Sequence, residues 1–217
     1  EQTLTDTIQL YDILPPSIVS ISVPIDSFIL LMQDHPIKFS FNEPIDSIDF
    51  NVTSVFADEV NFVADTTIKD SSIKITLIPP FTSFDSITVY FSYIQDEAGL
   101  TTVDISYTYV TPLLGDYDLD SAITYKDLWD LITNWSLPEP NLEYQLAPVT
   151  GEAPNFVSML DNKFDIEDGM AFVRMWAWYQ KTFGTIIQDT ASIGRPLELI
   201  QKSDNLLIIF DQSISGG

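Results

Sequence analysis

Gly115-Asp116-Tyr117-Asp118-Leu119-Asp120-Ser121-Ala122-Ile123-Thr124-Tyr125-Lys126-Asp127 sets carboxylates at alternate positions and then closes on one more. Counting Asp116 as position 1, acids fall at 1, 3, 5 and 12, with the Ala122 carbonyl at 7 and Thr124 at the water-relaying position 9. That is the spacing of a calcium loop opening a helix. Four carboxylates gathered in so short a stretch repel one another unless a hard divalent cation sits among them. Leu128, Leu131, Ile132 and Trp135 follow at i, i+3, i+4 and i+7, predicting an amphipathic helix that ends near Trp135. The expected ligands of one calcium ion are therefore Asp116, Asp118, Asp120, Ala122, Thr124 and Asp127. Position 6, where the sharp turn favours Gly, is Ser121.

Downstream, Pro138, Pro140, Pro148 and Gly151 mark an irregular connection, and a second loop follows as Asp161-Asn162-Lys163-Phe164-Asp165-Ile166-Glu167-Asp168. With Asp168 at position 12, Asp165 falls at 9, Lys163 supplies a carbonyl at 7 and Asp161 is position 5. Positions 1 and 3 become Val157 and Met159, which offer no carboxylate. This loop either takes a second calcium ion through Asp161, Lys163, Asp165, Asp168 and main-chain oxygens, or stands empty as a buttress for the first. Phe164 would face Ile123 at position 8 of each loop. A helix is expected over 169–183, with Phe172, Trp176, Tyr179 and Phe183 as its core stripe and Met175 and Trp178 on another face. That second face predicts either an interface with the preceding domain or an exposed docking patch.

Upstream, apolar and polar residues alternate in short runs separated by turn formers: 18–23, 28–32, 37–41, 48–55, 59–64, 73–78, 86–93 and 102–109. Seven or eight such strands predict an antiparallel β-sandwich over 14–111. Thr111-Pro112-Leu113-Leu114 is a connector short enough to make the sandwich and the loop module one rigid body. Residues 1–13 alternate as a strand of their own, with Leu4, Ile8 and Leu10 on one side. Two further strand-like runs, 196–200 and 205–210, lie in the last segment, 185–217. They complete the sandwich, begin another domain or pair with a neighbour.

The acid closing the first loop is Asp in place of the longer Glu, and this choice resembles the dockerin family. Tyr144-Gln145-Leu146-Ala147-Pro148, Gly151, Pro154, Phe164-Asp165-Ile166-Glu167-Asp168 and Phe172-Val173-Arg174-Met175-Trp176 resemble the atypical dockerin-like modules at the ends of secreted bacterial multidomain proteins. Gln145 departs from the pattern, standing where an acid is expected. Val19-Ser20-Ile21-Ser22-Val23-Pro24, Ile37 to Asp46 with its Phe41-Asn42-Glu43-Pro44-Ile45-Asp46, and Ser86 to Tyr90 running on to Asp96-Glu97-Ala98-Gly99 resemble bacterial Ig-like domains of the surface-layer and adhesin type. The first resemblance implies paired calcium loops over 112–184 and a cohesin-type partner, with Tyr125 and Lys126 as contact residues. The second implies a spacer, with Asp96 and Glu97 as turn formers.

Composition narrows the function. With 45% hydrophobic and 12% aromatic residues in 217, the chain can bury real cores. A formal charge of -23, from 32 acids against 9 bases, disfavours nucleic acid and anionic membranes as partners. No run of about 20 apolar residues predicts membrane insertion. Without cysteine and with one histidine, His35 in a turn context, thiol chemistry, disulfides and most zinc sites drop out. No nucleophile elbow, phosphate loop or metalloprotease helix is present. The expectation is a mainly β protein with a small α module, an Ig-like sandwich joined to paired calcium loops, non-enzymatic and extracellular. It would serve as a subunit or repeat of a surface assembly, pairing strands with other copies or neighbouring β-domains; alternatively it would dock a cohesin-type domain.

Overall fold

The computed structural model describes residues 12–66 and 71–184, together with the backbone of 196–202 and 205–210. The described residues are mainly antiparallel β with two helices. Seven strands come first: β1 (Ile18–Ile21), β2 (His35–Phe41), β3 (Ile45–Ser54), β4 (Phe62–Asp65), β5 (Ser72–Leu77), β6 (Ser86–Asp96) and β7 (Thr101–Val110). They form one sheet in the order β1-β2-β5-β4 and another in the order β3-β6-β7. Period-two patterning explains the pairing. In β2, Ile37, Phe39 and Phe41 point inward, while β5 contributes Ile73, Ile75 and Leu77, and β6 contributes Ile87, Val89 and Phe91. The two sheets meet through aromatic rings: Phe39 lies edge-on to Phe91 at 5.0 Å between centroids, and Phe50 is 5.8 Å from Phe62. Each fully buried Phe of this layer contributes on the order of 2–3 kcal/mol of apolar burial.

The run 28–32 is not a strand, apart from a bridge between Phe28 and Val110. Ile29 and Leu31 are buried as the alternation requires, but the segment crosses the end of the β unit and turns at once, with Gln33 N–H reaching the Leu30 carbonyl. Alternation there reports burial without a partner strand. The expected strand of residues 1–13, with Leu4, Ile8 and Leu10, lies outside the described residues up to residue 11.

After β7 the chain enters α1 (Tyr125–Trp135), a short 3-10 turn (Leu142–Tyr144), a hairpin of β8 (Val149–Thr150) and β9 (Val157–Ser158), and α2 (Ile166–Phe183). Helix α2 begins three residues before the expected Gly169, because Asp165 caps it: its side chain accepts the Glu167 N–H. Ring contacts of Tyr125 with Trp176 (5.1 Å) and of Trp135 with Phe164 (5.3 Å) set the helices antiparallel. Strands β10 (Pro196–Lys202) and β11 (Asn205–Phe210) pair with each other and with no other described strand.

The apolar core runs unbroken from the sheets into the helical unit through Phe81, Leu113, Leu114, Phe156 and Phe172. Polar staples reinforce the joint. Thr82 bridges Val157, Ser83 N–H donates to the Phe156 carbonyl at 2.8 Å, Leu114 N–H donates to Ser83 Oγ at 2.8 Å, and Asn155 Nδ2 reaches the Ser83 and Phe84 carbonyls at 3.2 Å each. Trp178 is half-buried with its ring 5.6 Å from Phe84, so the second face of α2 meets the β unit.

Candidate metal centre

Gly115 delivers the chain into the loop at φ +88°, a conformation that costs a residue with a Cβ about 1–2 kcal/mol. From there the backbone coils around the side chain of Asp116, which is 5% exposed. Its Oδ1 accepts the Asp120 N–H at 3.1 Å and its Oδ2 the Ser121 N–H at 2.9 Å. Asp120 Oδ1 in turn accepts the Ala122 N–H at 2.8 Å. Leu119 (φ 58°) and Ser121 (φ 70°) both take left-handed backbone, so Ser121 adopts the sharp turn despite its Cβ. The result is convergence: one carboxylate oxygen from each of Asp116, Asp118 and Asp120 lies within 4.8 Å of the other two. Two ligands each about 2.4 Å from one calcium ion can be no farther apart than about that distance.

Asp127 belongs to the same structure in another role. It is fully buried, and its Oδ1 accepts the Tyr117 N–H at 2.9 Å while its Oδ2 accepts from the Thr124 N–H (2.8 Å) and Thr124 Oγ1 (3.1 Å). Thr124 caps α1 and Asp127 answers it, a reciprocal capping box. The structure thus gathers Asp116, Asp118 and Asp120 in front and holds Asp127 behind them as the anchor of loop and helix. Lys126, on the outer rim, bridges Asp118 (3.1 Å) and Asp130 (3.2 Å). At its exposure such a bridge is screened by solvent and adds little to stability. Tyr125 packs on Trp176.

Electrostatics follow from this crowding. Burial pushes the Asp116 carboxyl up to about 6, helped by the neighbouring charges of Asp127 and Asp120 and opposed by the Ser121 and Asp120 N–H groups. Burial also raises Asp127, against the pull of the Thr124 and Tyr117 N–H groups. A cation would relieve both costs.

The second loop has the same skeleton with different contents. Asp168 Oδ1 accepts the N–H groups of Leu146 (2.7 Å) and Ala147 (2.8 Å), and its Oδ2 accepts Asp165 N–H (2.7 Å), as Asp127 does for Tyr117 and Thr124. By this match Leu146 is the counterpart of Tyr117 and Gln145 that of Asp116. Counting back to Val157 and Met159 misplaces the first positions, because the β8–β9 hairpin is inserted between positions 1 and 5. Gln145 Nε2 donates to Asp161 Oδ1 at 2.7 Å, and Lys163 Nζ meets Asp161 Oδ2 at 2.9 Å. The Lys163 ammonium holds the Asp161 carboxyl below its ordinary range. Asp161, Lys163, Asp165 and Asp168 are therefore engaged by protein donors or by one another, and do not converge as Asp116, Asp118 and Asp120 do. No β-bridge joins Ile123 to Phe164 among the described residues; Ile123 is buried in the core.

Protein-family models and curated proteins return no match to this chain. No helix among the described residues is long and apolar enough to cross a membrane.

Proposed function

We propose that the chain is a non-enzymatic structural module in which an Ig-like sandwich is locked to a dockerin-like two-helix unit by one calcium ion at Asp116, Asp118 and Asp120. It acts outside the cell as a rigid subunit or repeat of a surface assembly. The observation that carries this reading is the position of the three converging carboxylates, at the exit of β7 and beside the staples that join the sheets to the helices. An ion there stiffens a joint. Neighbouring copies would associate by strand addition: β1 has an unpaired outer edge among the described strands. A groove of about 300 Å³ runs along it, lined by Ile18, Ile21, Pro24, Ile25 and Tyr107. Leu4, Ile8 and Leu10 of an incoming chain have the alternation to fill it.

A second reading, a docking module for a cohesin-type domain, is favoured by Trp129, 69% exposed on the outer side of α1. Tyr125 and Lys126 would sit beside that contact. Light scattering on the purified chain in calcium and in chelator separates the two. Self-association in calcium that is lost on deleting residues 1–11 supports strand addition. A chain that stays monomeric until a cohesin-type domain is added overturns it in favour of docking.

A further inference from the structure

At the far pole of the β unit, three carboxylates from segments distant in sequence come together. Asp12 precedes Pro15 and Pro16, Glu43 lies in the turn between β2 and β3, and Asp96 ends β6; one oxygen of each lies within 4.8 Å of the other two. Asp96 is 3% exposed. Its Oδ1 accepts the Leu100 N–H at 2.8 Å, the turn-forming role expected of it, but its Oδ2 is buried with no hydrogen-bond partner among the described residues. An unpaired buried carboxylate oxygen is costly, and no Lys, Arg or His forms an ion pair with any of the three among the described residues. At such separation like charges repel, and more strongly beside the protein than in bulk water. Partial burial and the Asp12 and Asp96 carboxylates push the Glu43 carboxyl up, against the pull of the Asn42 amide.

We infer that Asp12, Glu43 and Asp96 form a second cation site, with Asp96 Oδ2 as its buried ligand and calcium as its ion. Calcium suits ligands drawn from three separate segments, because it accepts six to eight oxygens in flexible geometry, whereas magnesium demands a near-ideal octahedron. The surroundings give the ion a task. Thr102 Oγ1 donates to the Pro16 carbonyl at 2.6 Å and Ser17 N–H to Asn42 Oδ1 at 2.6 Å, so the entering chain is already stapled to the turns that carry Glu43 and Asp96. The ion completes that clasp. Strand β6 has 11 residues and starts beside Thr111, so this site lies about 35 Å from the Asp116 end. One ion fixes the chain entering the sheets and the other the chain leaving them.

The site is independent of the Asp116 cluster, and ion counting keeps the two apart. Calcium per chain is measured by elemental analysis after equilibrium dialysis on the full chain, with circular dichroism to check folding. Asp12→Asn with Glu43→Gln alters one exposed and one half-buried side chain, and should bind one ion fewer than the parent. Asp116→Asn with Asp118→Asn should lose the other ion. As a second readout, calcium should slow amide exchange at Leu14 and Ser17, the two residues of this stretch that carry an N–H, in the parent and in the Asp116/Asp118 variant, and not in the Asp12/Glu43 variant. An unchanged ion count in the Asp12/Glu43 variant, or calcium protection of the Leu14 and Ser17 amides that survives it, overturns the inference. Retention of the other ion in the Asp116/Asp118 variant would instead sink the proposed joint and leave this site standing.

Discussion

At Gly115 a single hydrogen atom decides whether the loop can form. Its φ of +88° is left-handed, and a Cβ placed there would meet Phe172 Cδ2 at 2.9 Å and Leu146 Cδ1 at 3.6 Å. Phe172 is fully buried and held between Tyr117 and Trp176, so it has no free volume to yield. Gly115→Ala should cost about 2–4 kcal/mol, the sum of backbone strain and overpacking. Chemical denaturation of the calcium-free protein checks this, and a loss below 1 kcal/mol would mean that α2 can shift away. The alternate acids of the loop were legible in the sequence because all three sit within five residues. Glu43 and Asp96 were not, since their meeting depends on how β2, β3 and β6 pair, and Asp96 in a turn motif reads as a turn residue.

At the scale of the element, Asp127 shows how a spacing can be right and a role incomplete. Thr124 and Asp127 satisfy both the last positions of a calcium loop and a capping box, and counting positions does not separate the two. The structure does: among the described residues Asp127 receives two N–H groups and a hydroxyl, while Asp118 receives only an exposed lysine. Asp127→Ala should therefore destabilise the protein by about 2–3 kcal/mol even in chelator, from stranded N–H groups and a lost cap. Asp118→Ala should change stability by less than about 0.5 kcal/mol in chelator and remove this loop's share of the calcium-dependent gain. Melting curves with and without calcium test both, and equal losses for the two variants in chelator would return Asp127 to the role of a plain ligand. The second loop teaches the complementary point. The hairpin that displaces its first positions carries Phe156 and Val157, which are the residues that grip Ser83 and Thr82. What reads as a degenerate loop is the same insertion that makes the joint, and a linear count sees only the loss.

At the scale of the molecule, charge sets how the joint responds to pH. With 32 acids against 9 bases, acidification relieves repulsion everywhere, so a local effect must be isolated by difference. Asp116 has its folded-state pKa raised to about 6, above the ordinary carboxylate value that the unfolded chain shows. A raised acid holds its proton more tightly when folded, so its contribution to stability is fully present below about pH 4 and is lost as pH rises through 6. The calcium-free protein should thus lose stability between pH 4 and 6.5, and Asp116→Asn should remove on the order of 2 kcal/mol of that slope while leaving the diffuse charge term in place. Calcium reverses the sense at this site, because the ion replaces the proton. Its stabilisation, about 2.7 kcal/mol at a hundredfold excess over the dissociation constant, should be full above pH 7 and fade below 6. Melting temperatures of the parent and of Asp116→Asn across this range, with and without calcium, check both halves. A calcium effect that persists unchanged at pH 5 would mean that the ion does not compete with the Asp116 proton, and the calcium response would then come from outside this loop.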